Sequence, residues 1–347
     1  MKLTEDIATM TSPVATVIIG VYNRARQIIP CLNSLLASTE RDLEIVLVED
    51  ASQDNSAEVL RQFVSDHLER NITLIRNAQN RGASGARNVG IAAARGEFLL
   101  FTDSDCIVQP NWVEEMVKGF KRTGAAAVSG TVFDKPPTNI AERLYIGSCN
   151  VIRKSPNLME SNMGFSRNIG FSFDEAIFGG EGDDLAKRLR VHGHKIALVP
   201  EAVVLHNHSL DLASFRRMTA QQARGHTFFW YKHGIFMGKD IAAMGGALLS
   251  LPLVLIDIWL TWVPVVFLFL QIAAIFYNES YYKGKSLKEA VIVLPLAICI
   301  YTWRAFISLV TWGRILLGLE PGIHVSKRAW RAEIRSLVAD SSSGSAG

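Results

Sequence analysis

Apolar runs in the first hundred residues alternate with helical patterns, and each run ends on a polar cluster. Val14 to Gly20 leads into Val21-Tyr22-Asn23-Arg24, and Glu44 to Val48 leads into Glu49-Asp50-Ala51-Ser52-Gln53-Asp54. Ile72 to Ile75 leads to Asn77 and then to Asn80-Arg81-Gly82-Ala83-Ser84-Gly85-Ala86-Arg87-Asn88-Val89-Gly90. Phe98 to Phe101 leads to Thr102-Asp103-Ser104-Asp105. Between them, Ile28, Leu32, Leu35 and Leu36 fall on one helical face, as do Val59, Leu60, Phe63 and Val64. Short buried strands alternating with amphipathic helices predict a parallel, doubly wound sheet with right-handed crossovers. In such sheets ligands bind beyond the carboxyl ends of the strands. All of these polar clusters are expected at that edge.

The pattern changes after residue 239. Ile241 to Tyr277 holds one acid, Asp257, and no base. As one helix it would be ~55 Å long, against a hydrocarbon core of ~30 Å. A helical hairpin turning near Asp257, Trp259 and Trp262 is the better expectation. Lys232 and Lys239 precede it and Lys283, Lys285 and Lys288 follow, so both flanks are expected on the cytoplasmic side. A second apolar stretch, Ala290 to Leu319, is interrupted by Arg304 and Arg314. It reads either as one span ending near Trp312 or as a re-entrant pair around Arg304. Lys327, Arg328, Arg331 and Arg335 favour a cytoplasmic C-terminus and an even number of crossings. Leu212 to Tyr231 is amphipathic, with Leu212, Phe215, Met218 and Thr219 on one side, and is expected at the membrane surface.

Charge and composition narrow the classes. A net charge of +3 with no aromatic-interleaved basic stripe gives no case for nucleic acid. Cys31, Cys106, Cys149 and Cys299 lack metal-ligand spacing and read as reduced thiols. Met1 to Ser12 has no apolar run, so no targeting signal is expected there, and Ser341 to Gly347 reads as a flexible tail.

Asp103 and Asp105 sit one residue apart, so an extended backbone turns both carboxylates to one side. Oxygen ligands of this kind suit Mg²⁺ or Mn²⁺, ions that in turn hold the phosphates of a nucleotide. A solvated acidic turn explains the same three residues. Gly82, Gly85 and Gly90 permit either a tight turn with close helix packing or backbone contact with phosphate. They form neither a dinucleotide fingerprint nor a P-loop.

Taken together, Tyr22-Asn23, Glu49-Asp50-x-Ser52-x-Asp54, Asn80-x-Gly82 with Ala86-Arg87-Asn88-x-Gly90, and Asp103-x-Asp105 resemble family 2 glycosyltransferases of the GT-A fold. The resemblance implies that Val21, Glu49 and Asp50 line the base and ribose pocket. It also implies that Arg87 helps hold the nucleotide and that Asp103 and Asp105 bind it through the metal. The family usually has Asp where Glu49 stands and Gly where Ala51 stands. In some related enzymes a His following the last apolar strand completes the metal site, here His206. Ser161-Asn162-Met163-Gly164 resembles the strand bordering the acceptor pocket, which puts Asn162 on the acceptor side; an ordinary core strand is the alternative.

Phe178-Gly179-Gly180-Glu181-Gly182-Asp183-Asp184-Leu185 resembles the motif that carries the general base of inverting members. Gly182 stands where the family has its Asp, so Asp183 is expected to be the base, with Glu181 next; carboxylates in a first helical turn are also favoured by the helix dipole alone. Gln221-Gln222-Ala223-Arg224-Gly225 is similar to the Gln-x-x-Arg segment of processive membrane glycosyltransferases, whose Gln and Arg face acceptor and diphosphate. Gly225 replaces the usual Trp.

The expected fold is α/β: a GT-A-type doubly wound, mainly parallel sheet with a Rossmann-like nucleotide-binding half, an acceptor half and C-terminal transmembrane helices. Expected domains are residues 1–210 (catalytic), 211–240 (amphipathic, interfacial), 241–320 (transmembrane) and 321–347 (cytoplasmic tail, disordered at its end). The expected activity is metal-dependent, inverting transfer of a sugar from a nucleoside-diphosphate sugar to a lipid-linked glycan or other membrane-associated acceptor, as in polysaccharide biosynthesis. The expected location is the inner (plasma) membrane, multi-pass, with the catalytic domain cytoplasmic. A catalytically inactive nucleotide-sugar-binding scaffold and a metal-dependent nucleotidyltransferase are the competing readings.

Overall fold

The computed structural model describes residues 12–145, 157–235, 262–277, 279 and 286–343. The chain divides into two compact units. The first comprises Met1–Phe133, Ile152–Glu175 and Leu185–Asn207, and the second Asp134–Val151, Ala176–Asp184 and His208–Gly347. Two segments of the expected 1–210 domain therefore group with the C-terminal part of the chain.

The described residues of the first unit build an eight-stranded sheet. Strands β1 (Ala15–Val21), β2 (Leu43–Glu49), β3 (Ile72–Arg76) and β4 (Phe98–Phe101) are parallel, in the order β3-β2-β1-β4. They alternate with α1 (Ile28–Leu36), α2 (Ser56–Asp66) and α3 (Gly82–Ala93), as the periodicity requires. Beyond β4 the sheet turns mixed. After β5 (Cys106–Val108), α4 (Trp112–Thr123) and β6 (Ala127–Asp134), strand β7 (Met163–Ser166) pairs antiparallel with both β4 and β6. The last strand, β8 (Ile196–His206), pairs antiparallel with β5.

Alternation along the strands divides the core into two layers. Val17, Ile19 and Val21 of β1 pack with Ile28, Leu32 and Leu35 of α1, Leu60 of α2 and Trp112 of α4. Ile18, Val46, Leu99 and Phe101 point to the other face, against Ala86 of α3 and Leu185 and Leu189. Each such buried Leu or Ile contributes about 1.5–3 kcal/mol relative to exposure. Helix α3 can lie on β1 because Gly90 has no side chain: a Cβ there would fall 2.3 Å from Ile18 Cγ2. Close helix packing is thus the role of Gly90, and Gly82, with φ +72°, makes the turn into the helix.

The second unit is helical. It contains α5 (Ile140–Tyr145), the start of α6 (Glu181–Val191), α7 (Leu212–His233), α8 (Trp262–Tyr277), α9 (Leu287–Leu316) and α10 (Pro321–Ser343). Asp211 caps α7 by accepting from Ser214 N–H at 2.7 Å, and Gly234, with φ +66°, ends it. Ser286 and Glu289 form a reciprocal capping box at the start of α9. Phe215 of α7 is buried with Ala141, Leu144 and Val293, so the side expected on the membrane surface packs largely inside the protein.

Helix α9 has 30 residues, a mean hydropathy of 2.0 in its most apolar stretch and only 22% of that stretch buried. Among the described residues it is the one helix long and apolar enough to cross a membrane. The helix is continuous through Arg304, which removes the re-entrant alternative. The turn expected near Asp257 and Trp259, and Lys239, Lys283 and Lys285, lie outside the described residues. Pro321–Ser343 forms a helix, so the described part of the segment expected to be flexible, residues 341–343, is helical.

Candidate active site

The carboxyl end of β2 is a hydrogen-bonded knot. The Glu49 carboxylate, 1% exposed, accepts from Ser52 N–H at 2.5 Å and from Arg76 Nε at 3.0 Å. Asp50, 2% exposed, accepts from Asn77 Nδ2 at 2.7 Å and from Arg81 N–H at 3.0 and 3.1 Å. Both acids therefore tie β2 to neighbouring loops. The loops after β1 and β2 are laced together as well: Asn23 N–H donates to Ser52 Oγ at 3.0 Å, and Gln53 N–H to Asn23 Oδ1 at 2.8 Å. Asn23 and Ala51 hold φ at +54° and +57°. Ala51 takes this left-handed conformation at a position where the resembled family has Gly.

Val21 departs from expectation. Its side chain is fully buried in the core layer beneath α1, and its carbonyl accepts from Asp50 N–H at 2.8 Å. It lends the pocket no side chain. Tyr22, next along the chain, is 41% exposed.

Asp103 and Asp105 converge, though by a turn rather than by an extended segment: Cys106 N–H donates to Asp103 O at 3.0 Å. The Cys106↔His206 pairing of β5 and β8 brings the end of β8 alongside. His206 Nε2 lies 3.3 Å from Asp105 Oδ1, and Arg24 Nη2 lies 3.9 Å from Asp105 Oδ2. One potential ligand atom from each of Asp103, Asp105, Cys106 and His206 lies within 4.8 Å of the others. Two carboxylates and an imidazole form a hard donor set that fits a divalent cation of the Mg²⁺ or Mn²⁺ type. Cys106 is fully buried, and burial together with Asp103 and Asp105 pushes its thiol well above the usual range. Arg87, 8% exposed, donates to Asp103 Oδ1 at 2.9 Å and stacks on Phe173 with its guanidinium carbon 5.4 Å from the ring centre. It is thus fixed against the acid it was expected to act beside.

Asn162 is a core cross-link. Fully buried, it accepts from Trp112 Nε1 at 2.8 Å and donates to Thr131 O and Ala202 O, both at 2.9 Å. Every polar atom of its amide is engaged inside the sheet, which corrects the acceptor-side assignment.

In the second unit the start of α6 separates three carboxylates by environment. Glu181, 8% exposed, accepts from Gly179 N–H at 2.8 Å and Gly180 N–H at 2.9 Å, so it holds the loop before the helix. Asp184, 1% exposed, pairs with Lys232 Nζ at 2.7 Å and His233 Nε2 at 2.8 Å. Asp183 keeps its side chain 45% exposed, with His226 Nε2 at 3.9 Å. Of the three, only Asp183 is open to solvent. Gly225 lets this loop lie on α7: a Cβ there would fall 1.9 Å from Phe178 O and 2.4 Å from Gly179 O. A Trp at this position is excluded by the same contact. Arg224 donates to Glu320 at 3.3 Å and stacks on Phe178 and Phe228 at 5.5 and 5.8 Å, while Gln222 lines a cavity of about 120 Å³.

Sequence reasoning passed over His226, although it directly follows the Gln-x-x-Arg-Gly segment. It also gave no role to His233 and read Lys232 only as a flank of the apolar region. Nothing in sequence spacing relates these α7 residues to α6.

A parallel β3-β2-β1-β4 half, its mixed continuation and an Asp/His cluster at the strand ends define a GT-A glycosyltransferase fold. A solved structure, mannosyltransferase PcManGT from Pyrobaculum calidifontis in complex with GDP-Man and Mn²⁺, aligns over 88% of each chain with a TM-score of 0.56 and 19% identity. Residues 16–178 match Glycosyl transferase family 2. The glycosyltransferase AglE of Haloferax volcanii is 34% identical over 149 residues, 42% of this chain and 48% of that protein. The succinoglycan biosynthesis protein ExoO of Rhizobium meliloti is 33% identical over 172 residues, 48% of this chain and 47% of that protein. The chain spans about half the length of these curated relatives.

Proposed function

We propose that the protein transfers a sugar from a nucleoside-diphosphate sugar to a membrane-associated acceptor, a lipid-linked glycan, with inversion at the sugar carbon. The observation that carries this reading is the Asp103/Asp105/His206 cluster at the strand ends of a family 2 domain. These three residues would hold Mn²⁺ or Mg²⁺. The ion supplies Lewis-acid neutralisation of the negative charge that develops on a departing diphosphate. Arg87, locked to Asp103, keeps that carboxylate oriented. The Glu49 and Asp50 knots pre-form the loops of the base and ribose pocket, so donor binding does not have to order them. The GDP-Man and Mn²⁺ bound by PcManGT and the biosynthetic role in the name of ExoO are consistent with this chemistry.

Asp183 acts as the general base that removes the proton from the acceptor hydroxyl. Its exposure supports this role, since Glu181 and Asp184 are engaged inside the unit. Gln222 and Arg224 belong to the acceptor side. Helix α9 supports membrane attachment, and Lys327, Arg328, Arg331 and Arg335 on α10 support a cytoplasmic C-terminus.

The test is incubation of detergent-solubilised full chain with radiolabelled nucleotide-sugars, Mn²⁺ and a membrane lipid extract. Label is expected in the lipid phase with release of nucleoside diphosphate, abolished by EDTA. Release of pyrophosphate from an added nucleoside triphosphate and sugar 1-phosphate, with no label transferred from the nucleotide-sugars, would make the protein a nucleotidyltransferase. Donor binding with no turnover over any extract would make it a scaffold.

A further inference from the structure

His226 and Asp183 are matched in a way that the family motif does not encode. His226 Nδ1 lies 2.9 Å from Gln222 O within α7. A carbonyl only accepts, so Nδ1 carries the hydrogen and the neutral ring presents its Nε2 lone pair. Nε2 lies 3.9 Å from Asp183 Oδ2. An ionised carboxylate has nothing to donate to it. A protonated one does, and the Asp183 side chain, 45% exposed, is the least enclosed of the three acids at the start of α6. The arrangement suits Asp183 after it has taken up a proton.

We propose that His226 is a positioning residue for Asp183, holding through Nε2 the proton that Asp183 removes from the acceptor. The inference rests on Asp183 being the base. In the step, the acceptor O–H proton passes to Asp183 Oδ2 and the freed oxygen pair forms the bond to the sugar carbon. The bond from sugar carbon to phosphate oxygen breaks, with its pair leaving on the nucleoside diphosphate. Asp183 then donates its new O–H to His226 Nε2 until the proton is released to water.

The charges around the ring keep His226 in the form this needs. Burial lowers its pKa from the ordinary value, and the Arg304 guanidinium of α9 lowers it further; Asp183 and Glu181 oppose them. The hydrogen bond from Nδ1 to Gln222 O also raises it, and Trp230 packs at 6.1 Å between ring centres. The net direction is down, so the ring is neutral at pH 7. Below that lowered pKa the ring gains an Nε2–H, binds the ionised carboxylate and weakens it as a base. The acid limb of the wild-type rate profile therefore belongs to His226.

The experiment is the pH dependence of kcat for full-length wild type, His226→Gln and Asp183→Asn, with donor Kd measured alongside. His226→Gln is expected to keep donor Kd and to lose up to ~10²-fold in plateau kcat, the low end for a positioned proton-transfer group. Its acid limb is expected to move to lower pH. If Asp183→Asn is inactive while His226→Gln keeps both kcat and acid limb, the pairing is wrong and the base assignment stands. A drop in kcat with an unmoved acid limb makes His226 merely structural and also overturns the proposal. Full transfer by Asp183→Asn removes the base assignment and the inference together.

Discussion

His206 Nε2 stands 3.3 Å from Asp105 Oδ1, although 101 positions of chain separate the two residues. The antiparallel register of β5 and β8 sets this distance, because Cys106 pairs directly with His206. A strand turn supplies the carboxylates and a distant strand end supplies the imidazole.

Removing either partner should weaken metal-dependent donor binding. Asp105→Ala and His206→Ala are expected to retain the far-UV circular dichroism of the parent, since neither side chain fills the core. Titration calorimetry with a nucleotide-sugar should give Mn²⁺-independent, weakened binding for Asp105→Ala and a smaller loss for His206→Ala. Unchanged Mn²⁺ dependence in both variants would place the ion elsewhere.

Ala51 carries a left-handed backbone at φ +57°. A side chain in that conformation costs about 1–2 kcal/mol, and Gly adds about 0.5–1 kcal/mol of unfolded-state entropy. Ala51→Gly should therefore stabilise the protein by about 0.5–1 kcal/mol in urea denaturation, with the m-value unchanged. A variant less stable than the parent would contradict the strain argument.

Asn162→Ala should be a folding variant before it is a catalytic one. It strands Trp112 Nε1, Thr131 O and Ala202 O in the sheet interior. Leaving buried polar groups unpaired costs about 1–3 kcal/mol each, so the thermal midpoint should fall by many degrees. An unchanged midpoint with a raised acceptor KM would restore the acceptor-side role.

Asp183→Asn should bind donor as the parent does and transfer roughly 10² to 10⁴ times more slowly. Glu181→Gln keeps an acceptor oxygen for Gly179 and Gly180 N–H and should lose far less. Should Glu181→Gln prove the slower variant, the two roles exchange. The anomeric configuration of the product, read by NMR, reports inversion independently.

Full-length protein should stay in the membrane pellet after alkaline carbonate extraction, because α9 leaves most of its apolar length uncovered. Tags at the two ends should show the same protease accessibility in oriented vesicles. Opposite accessibility would mean an odd number of crossings.

Local pattern was enough for the parallel half. Runs of Val, Ile, Leu and Phe ending at Glu49, Asn77 and Asp103 specify strands whose carboxyl ends share an edge, because side-chain period and chirality leave few ways to pack them. The length and composition of Leu287–Leu316 likewise specify an apolar helix. The chemistry of individual positions was less legible. Val21 and Asn162 read as pocket residues by their place in a motif, yet one fills the core and the other cross-links the sheet. Burial is a property of what packs from elsewhere in the chain, and no motif carries it.

The sequence by itself determined the order of strands and helices in the parallel half, the acidic strand-end turn and the apolar character of the C-terminal helix, since each depends on spacings of a few residues. Only the tertiary structure decided which acids are open and which are engaged. Glu181 turns to the amides of Gly179 and Gly180, Asp184 to Lys232 and His233, and Asp183 is left beside His226. Those outcomes depend on contacts between α6 and α7, elements separated by twenty residues, and on Gly225 letting a loop lie against a helix. Long-range packing fixes such choices, because the free energy of a carboxylate is set by the groups that surround it in space.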